Sequence, residues 1–442
     1  MLDFGDNRSA LVIVPHEDDE INLMGGLLPL LVEKGIKVYV CYVTNGDFEF
    51  SGRLRIQEAI SALGCLGVEC ENVFFLGYPD ASNKVDKSLY GAEKSVTSKY
   101  SSFTYGSELK QDFRMMVSGI HSPYTYDSLK KDLKDVILFL KPDVIFCSDM
   151  DPHHDHKLTS LAFEESMEEI LCLRKEYSPL IFKGFAYSTS YDSVNDFFKG
   201  INILPTQKPH NEGNLDNPYF SWDKRIRFPI SENVLVNDKE KNILIKAMCK
   251  HKSQFFAKRI GSVINSDVVF WPLLIKDRKI RNYTVDKNSD IDGEVKYSIL
   301  NNNGNVEPIS KNIVIVKLLL AGGFAYNNYF INDEIIIPCS IYSIDFEKEL
   351  NIYTSDDTVY IVDGNLFIPK QVSEVTIVLK DVKGNVYDSC KIIRMSKMER
   401  ILFEIEKRLF QLSCYIEYKK EKRYRKKLLG NSLLSIGVLS LW

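Results

Sequence analysis

The sequence is short of the features that announce several common protein classes. Its nine cysteines, an odd number, include no CxxC pair, which argues against both a disulfide framework and a structural zinc module. No run approaches the length of a membrane span. The opening "MLDFGDNRSALVIV" has no basic leader ahead of an apolar core, so a reduced, cytoplasmic setting is the expectation. A net charge of -4 gives no global reason to expect nucleic acid. No GxGxxG follows the first apolar run, so a dinucleotide is not the expected ligand. Histidine is scarce as well: there are seven in 442 residues. What remains is an ordinary globular composition, 45% hydrophobic and 26% charged, long enough for two or three domains.

The first part of the chain alternates apolar runs with helical patterns. Strands are expected at "ALVIV" (10–14), "KVYVCYVT" (37–44), "NVFFLG" (72–77) and "DVIFCS" (143–148). Between them, 21–35, 52–67 and 126–140 carry apolar residues at helical spacing. Fully apolar strands alternating with helices imply a Rossmann-like α/β fold, a mostly parallel sheet with helices on both faces. Ligands of such folds bind beyond the carboxyl ends of the strands. Two aromatic-rich segments, 88–126 and 190–228, interrupt the pattern as functional lids or plain surface excursions. From about residue 290 short β-rich runs alternate with turn signals such as "NNNG" and "KGN", which predicts a small antiparallel, Ig-like β-sandwich. The expected divisions are 1–285, 286–395 and a C-terminal helical tail at 396–442.

The chemistry concentrates in two places. "LVIVPHEDDE" (11–20) drives an apolar run into His16 and four successive carboxylates. Carboxylates this close repel one another unless a cation or a proton intervenes. The second place is "SDMDPHHDHKLTS", which brings His153, His154 and His156 directly after the strand at 143–148. Both stretches leave the carboxyl ends of apolar strands and can converge over one sheet edge. Imidazoles and carboxylates gathered there suit a divalent metal, Zn²⁺ above all. The competing reading is a solvated acidic turn and an unrelated histidine-rich loop.

Here the chain resembles the PIG-L/LmbE-like zinc-dependent N-acetylglucosaminyl de-N-acetylases. Their P/A-H-P-D-D-E signature is matched by Pro15-His16-Glu17-Asp18-Asp19-Glu20, and their H-P-D-H by His153-His154-Asp155-His156. Between these lie Thr44-Asn45-Gly46 for T-N-G, Arg55 to Glu58 for R-x-x-E, and Leu76-Gly77-Tyr78-Pro79-Asp80 for L-G-x-P-D. Residues 241–255 are similar to a later K-x-x-A and S-Q segment, so the resemblance covers roughly 8–275. It implies His16, Asp19 and His156 as ligands of one Zn²⁺ per chain, with Asp18 as general base. It implies His153 as the group that stabilises the oxyanion or protonates the amine, with Asp155 holding its ring. Arg55 and Asp80 match positions that contact sugar hydroxyls; the alternative for Arg55 is a helix-surface pair with Glu58. Glu17 and His154 depart from the family pattern by replacing prolines.

The reaction implied is hydrolysis of a linear amide: removal of acetyl from an N-acetylated amino sugar, whether free, nucleotide-linked or lipid-linked. Two rivals stay open: a non-catalytic glycan-binding protein with a vestigial metal site, and a metal-dependent phosphoester hydrolase. In the tail, Ser396-x-x-Glu399 reads as a capping box. An apolar stripe from Met398 to Ile416 and the basic "KKEKRYRKK" (419–427) follow it. That predicts either a helix docked on the protein's own body or a peripheral anchor on anionic lipid at the inner face of a membrane.

Overall fold

The computed structural model describes residues 2–81, 94–186, 225–254, 267–273 and 349–439 with few breaks. Between 283 and 343 it describes five strands. Most of the expected segment 190–228 lies outside the described residues.

A seven-stranded sheet organises the first part of the chain. Its strands are β2 (Ser9–Val14), β3 (Lys37–Thr44), β4 (Val73–Tyr78), β5 (Val144–Ser148), β6 (Leu180–Gly184), β7 (Ile226–Pro229) and β8 (Asp267–Pro272), in the order β4-β3-β2-β5-β6-β8-β7. The five from β4 to β6 are parallel, while β8 runs antiparallel to both its neighbours. The side-chain period of two explains why these strands are apolar throughout. In β2, Ala10, Val12 and Val14 enter one core, and Leu11 and Ile13 enter the other.

Helices cover both faces. α1 (Asp19–Met24), α2 (Leu27–Glu33), α3 (Gly52–Cys65) and α7 (Ile243–Met248) line the first core. α4 (Phe113–Ser118), α5 (Tyr126–Leu140) and α6 (His154–Leu173) line the second. In α5, Leu129, Leu133, Val136 and Ile137 point inward at helical spacing, and Thr125 caps its first turn by accepting from the Ser128 N–H. The helix expected over 21–35 is broken in two at Gly25-Gly26. Gly25 has φ +47, and a Cβ on Gly26 would come within 2.7 Å of Ile230 and Val234. The chain turns there because only glycine fits.

The later strands form two facing sheets. One has the order β1-β11-β13-β16-β15 and the other β12-β18-β17-β14. These are β1 (Leu2–Asp3), β11 (Val314–Leu320), β12 (Asn327–Tyr329), β13 (Ile335–Ser343), β14 (Leu350–Thr354), β15 (Tyr360–Val362), β16 (Asn365–Ile368), β17 (Glu374–Asp381) and β18 (Val386–Arg394). β9 (Tyr283–Val285) and β10 (Tyr297–Ile299) pair with each other. Leu366 and Ile368 from one sheet meet Val375, Ile377, Leu379 and Ile392 from the other in a third core, the packing of a sandwich. The first strand crosses the expected division: Leu2 pairs with Ile315.

α8 (Lys397–Leu439) ends the described chain. Its capping box forms as the sequence predicts, with Ser396 N–H donating to Glu399 Oε2 at 2.7 Å and Glu399 N–H to Ser396 Oγ at 3.3 Å. Phe410, Cys414 and Tyr418 of α8 pack against the first core, and Lys239 Nζ meets Glu417 at 2.9 Å. No helix among the described residues is long and apolar enough to cross a membrane.

Candidate metal centre

β2, β3, β4 and β5 are parallel neighbours, so the residues that follow them gather at one edge of the sheet. After β2 the chain turns through Pro15 to Asp18, and Thr44 at the end of β3 fixes that turn. Thr44 donates its N–H and its hydroxyl to the Pro15 carbonyl, both at 2.9 Å. Asn45 ties β3 to β4 through its N–H on the Tyr78 carbonyl at 2.8 Å. Asp18 adopts φ +150, an uncommon backbone for a non-glycine residue. It is held by the His16, Ile21 and Asn22 backbone bonds around it.

Three imidazoles meet at this edge. The His16, His153 and His156 rings have centroids 4.7–5.4 Å apart. Their potential ligand atoms all lie within 4.8 Å of one another, as do those of His16, Asp80 and Asp155. His16 Nδ1 meets Asp19 Oδ2 at 3.0 Å and its Nε2 meets Asp155 Oδ2 at 3.1 Å. His156 Nε2 lies 3.3 Å from the same Asp19 oxygen, and its Nδ1 lies 2.6 Å from Asp151 Oδ2. Burial opposes charge on both rings, but the surrounding carboxylates overcome it. Asp80, Asp155 and Asp19 hold His16 well above its usual value; Asp151 and Asp19 push His156 up to about 10. His153 goes the other way: burial, with His16 and His156 as cationic neighbours, pushes it down to about 2. Burial raises Asp155 to about 6 against its bond to His16.

These residues fit a divalent cation. Carboxylates and imidazoles face one another in a buried pocket, and Asp155 Oδ1 has no hydrogen-bond partner there. His156 has its outer nitrogen on a carboxylate, which frees Nε2 for a metal. The donor chemistry of nitrogen and oxygen suits Zn²⁺.

Around this centre lies a second layer. Arg55 donates to the Glu17 carbonyl and to Asp18 Oδ1 at 3.3 Å, with its Nε 3.7 Å from Glu17 Oε2. Glu17 is fully buried without a hydrogen bond to its carboxylate, and burial raises it well above the usual range, against the pull of Arg55. Gly46, at φ +56, leaves the room that the Glu17 carboxylate occupies. Asp47 Oδ1 accepts the Asp80 N–H at 2.9 Å; its Oδ2 accepts Ser98 Oγ at 3.0 Å and Tyr105 OH at 2.8 Å. That part of the 88–126 segment is thus bonded to the site wall. Behind the first turn, the wholly buried His251 and Glu20 meet at 2.8 Å. Glu58 accepts Ser253 N–H and hydroxyl at 3.0 and 2.6 Å, which gives the 241–255 segment its place.

Most of the residues singled out from the sequence therefore come together: His16, Asp19, Asp80, His153, Asp155 and His156 share one pocket edge, with Asp18 beside them. Two differ from expectation in their partners. The Asp155 carboxylate turns to His16 and to the Ala81 N–H at 3.1 Å, and it meets His153 through its backbone N–H, which donates to His153 Nδ1 at 3.2 Å. Arg55 is buried on the turn, neither a surface pair with Glu58 nor open to solvent, because the Glu17 carbonyl and the Asp18 carboxylate accept its N–H groups. Asp151, Asp47 and His251 were not foreseen. Asp151 sits in the quoted "SDMDPHHDH", and only the fold shows that its carboxylate reaches His156.

Comparison with known proteins finds a family model that part of the chain matches. Residues 11–167 match the model of the PIG-L family, described as GlcNAc-PI de-N-acetylase. No curated protein matches the chain. Among solved structures it is similar to N,N'-diacetylchitobiose deacetylase from Pyrococcus horikoshii, at 22% identity and a TM-score of 0.27, over 43% of this chain and 64% of that one. It is also similar to the A40926 pseudoaglycone deacetylase, at 16% identity and a TM-score of 0.33, over 60% of this chain and 97% of that one. A zinc-inhibited form of teicoplanin deacetylase gives 16% identity and a TM-score of 0.30, over 60% and 97%.

Proposed function

Taking residues 11–167 as a PIG-L family segment, we propose that the chain is a zinc-dependent de-N-acetylase. It would remove acetyl from a GlcNAc-type amino sugar, releasing acetate and a free amine. The observation that carries the reading is the meeting of His16 Nδ1 and His156 Nε2 on one Asp19 oxygen, at 3.0 and 3.3 Å. Those three residues would hold one Zn²⁺; His153 is the further imidazole within reach. A metal held there would supply a bound water of lowered pKa and polarisation of the acetamide carbonyl.

The chain's own groups do the rest. Asp18 takes the proton from the attacking water at its carboxylate, and Arg55, on Oδ1, keeps that carboxylate aimed. His153 accepts the Asp155 N–H at Nδ1, so in its neutral form the ring carries its proton at Nε2. From there it donates a hydrogen bond to the oxygen that becomes negative, while the proton taken up by Asp18 passes to the departing amine. Asp151 and Asp155 orient His156 and His16. Asp80, whose side chain is 13% exposed, is the group offered to a sugar hydroxyl, while Arg55 acts through Asp18.

Acetate release tests the reading. Purified protein with added Zn²⁺ is offered N-acetylglucosamine in free, nucleotide-linked and lipid-linked form. Activity should vanish with chelator and return with metal, and Asp18→Asn should keep the metal yet lose about 10²–10⁴ in kcat. Phosphate release without acetate would transfer the site to phosphoester hydrolysis. Sugar binding with no turnover would make the protein a glycan-binding one.

A further inference from the structure

α8 has two dissimilar faces. One is turned inward through Phe410, Cys414 and Tyr418. Arg425 also lies on this side. It donates to the Ser253 carbonyl and grips both Glu49 oxygens at 2.6–2.7 Å, with its guanidinium 4.8 Å over the Phe50 ring.

The outward face carries Ile401, Leu402, Ile405, Leu409, Leu412 and Ile416, each 46–60% exposed. Steps of three and four residues set them along one line of the helix. The same steps continue to Lys420, Arg423 and Lys427, with Lys419 alongside, all exposed. At 3.6 residues per turn this line lies opposite Cys414 and Tyr418. An apolar ridge therefore runs straight into a basic one. Past it, residues 428–442 include no charged side chain.

We propose that this outward face is a docking surface for anionic lipid. The apolar ridge would enter the headgroup boundary, and the basic ridge would meet lipid phosphates, with the helix lying on the bilayer. The spacing would also suit pairing with a second copy. Parallel pairing of that kind would stack Lys419 and Arg423 on their own counterparts, and no acidic residue lies on the line to answer them. A negative surface satisfies both halves of the ridge; a second copy satisfies one. The inference rests on the deacetylase reading only for the substrate that would be met there.

The test uses the full chain, sedimented with vesicles of phosphatidylcholine alone or mixed equally with phosphatidylglycerol. Binding should require the anionic lipid, weaken with salt, and fall about fivefold for each basic residue neutralised, as in Arg423→Gln. Leu409→Glu combined with Leu412→Glu should abolish it while the thermal melt stays unchanged. Equal binding to both vesicles, or none to either, overturns the proposal. So does a dimer in the ultracentrifuge that Leu409→Glu dissolves while vesicles pellet nothing. Vesicle binding by a protein that releases no acetate from any N-acetylated sugar would support this surface and sink the deacetylase reading; acetate release without vesicle binding would do the reverse.

Discussion

Behind His156 stands Asp151, whose carboxylate meets the ring Nδ1 at 2.6 Å. His16, Asp19 and His156 were legible because their residue types are rare together and follow apolar strands. Asp151 is an ordinary acidic residue in a loop, and its value comes from a 2.6 Å contact that only the start of α6 creates. Asp151→Asn should leave the fold intact and lower zinc affinity about 10- to 100-fold, the usual cost of losing a partner behind a metal-bound histidine. Zinc titration against a competing chelator measures it; unchanged affinity would remove His156 from the ligand set. The placement of Arg55 was not legible for a related reason. Its spacing to Glu58 is a local property, whereas its burial against Glu17 and Asp18 is set by β2 and β3 lying side by side.

At the scale of elements, four of the five parallel strands, β2 to β5, were readable to within a residue, since apolar runs buried on both faces leave few alternatives; β6 (Leu180–Gly184) was not singled out. The split between α1 and α2 was not, because Gly25 and Gly26 matter through what lies across from them. Gly26→Ala drives a methyl against Ile230 and Val234 and should cost about 1–3 kcal/mol, the range for overpacking a dense core, in a denaturant melt. α8 offers a second prediction. Arg425 pins Glu49 and Phe50, two and three residues beyond Asp47, which in turn holds the Asp80 N–H. Arg425→Ala should lower kcat/KM about 2- to 30-fold, the span of changes that travel through packed networks. Bound zinc should stay unchanged, and Arg425→Lys should rescue only in part, because lysine lacks the two-pronged grip. A rate equal to wild type would detach α8 from the site.

Across the whole molecule, the helix and the first core stabilise one another. A chain ended at Arg394 leaves the surface against Phe410, Cys414 and Tyr418 uncovered. It should melt several degrees lower, at roughly 2–4 °C for each kcal/mol lost from a body this size. A scanning calorimeter trace identical to that of the full chain would mean the helix adds nothing to that core. The pairing of Leu2 with Ile315 carries a consequence of another kind, in time. Leu2 and Asp3 leave the ribosome and wait for more than three hundred further residues before their partner strand exists. Contacts so distant along the chain close late and slowly. The seven-stranded sheet can therefore assemble while Leu2 and Asp3 are still unpaired, and their seat on β11 (Val314–Leu320) closes only once synthesis has passed that strand.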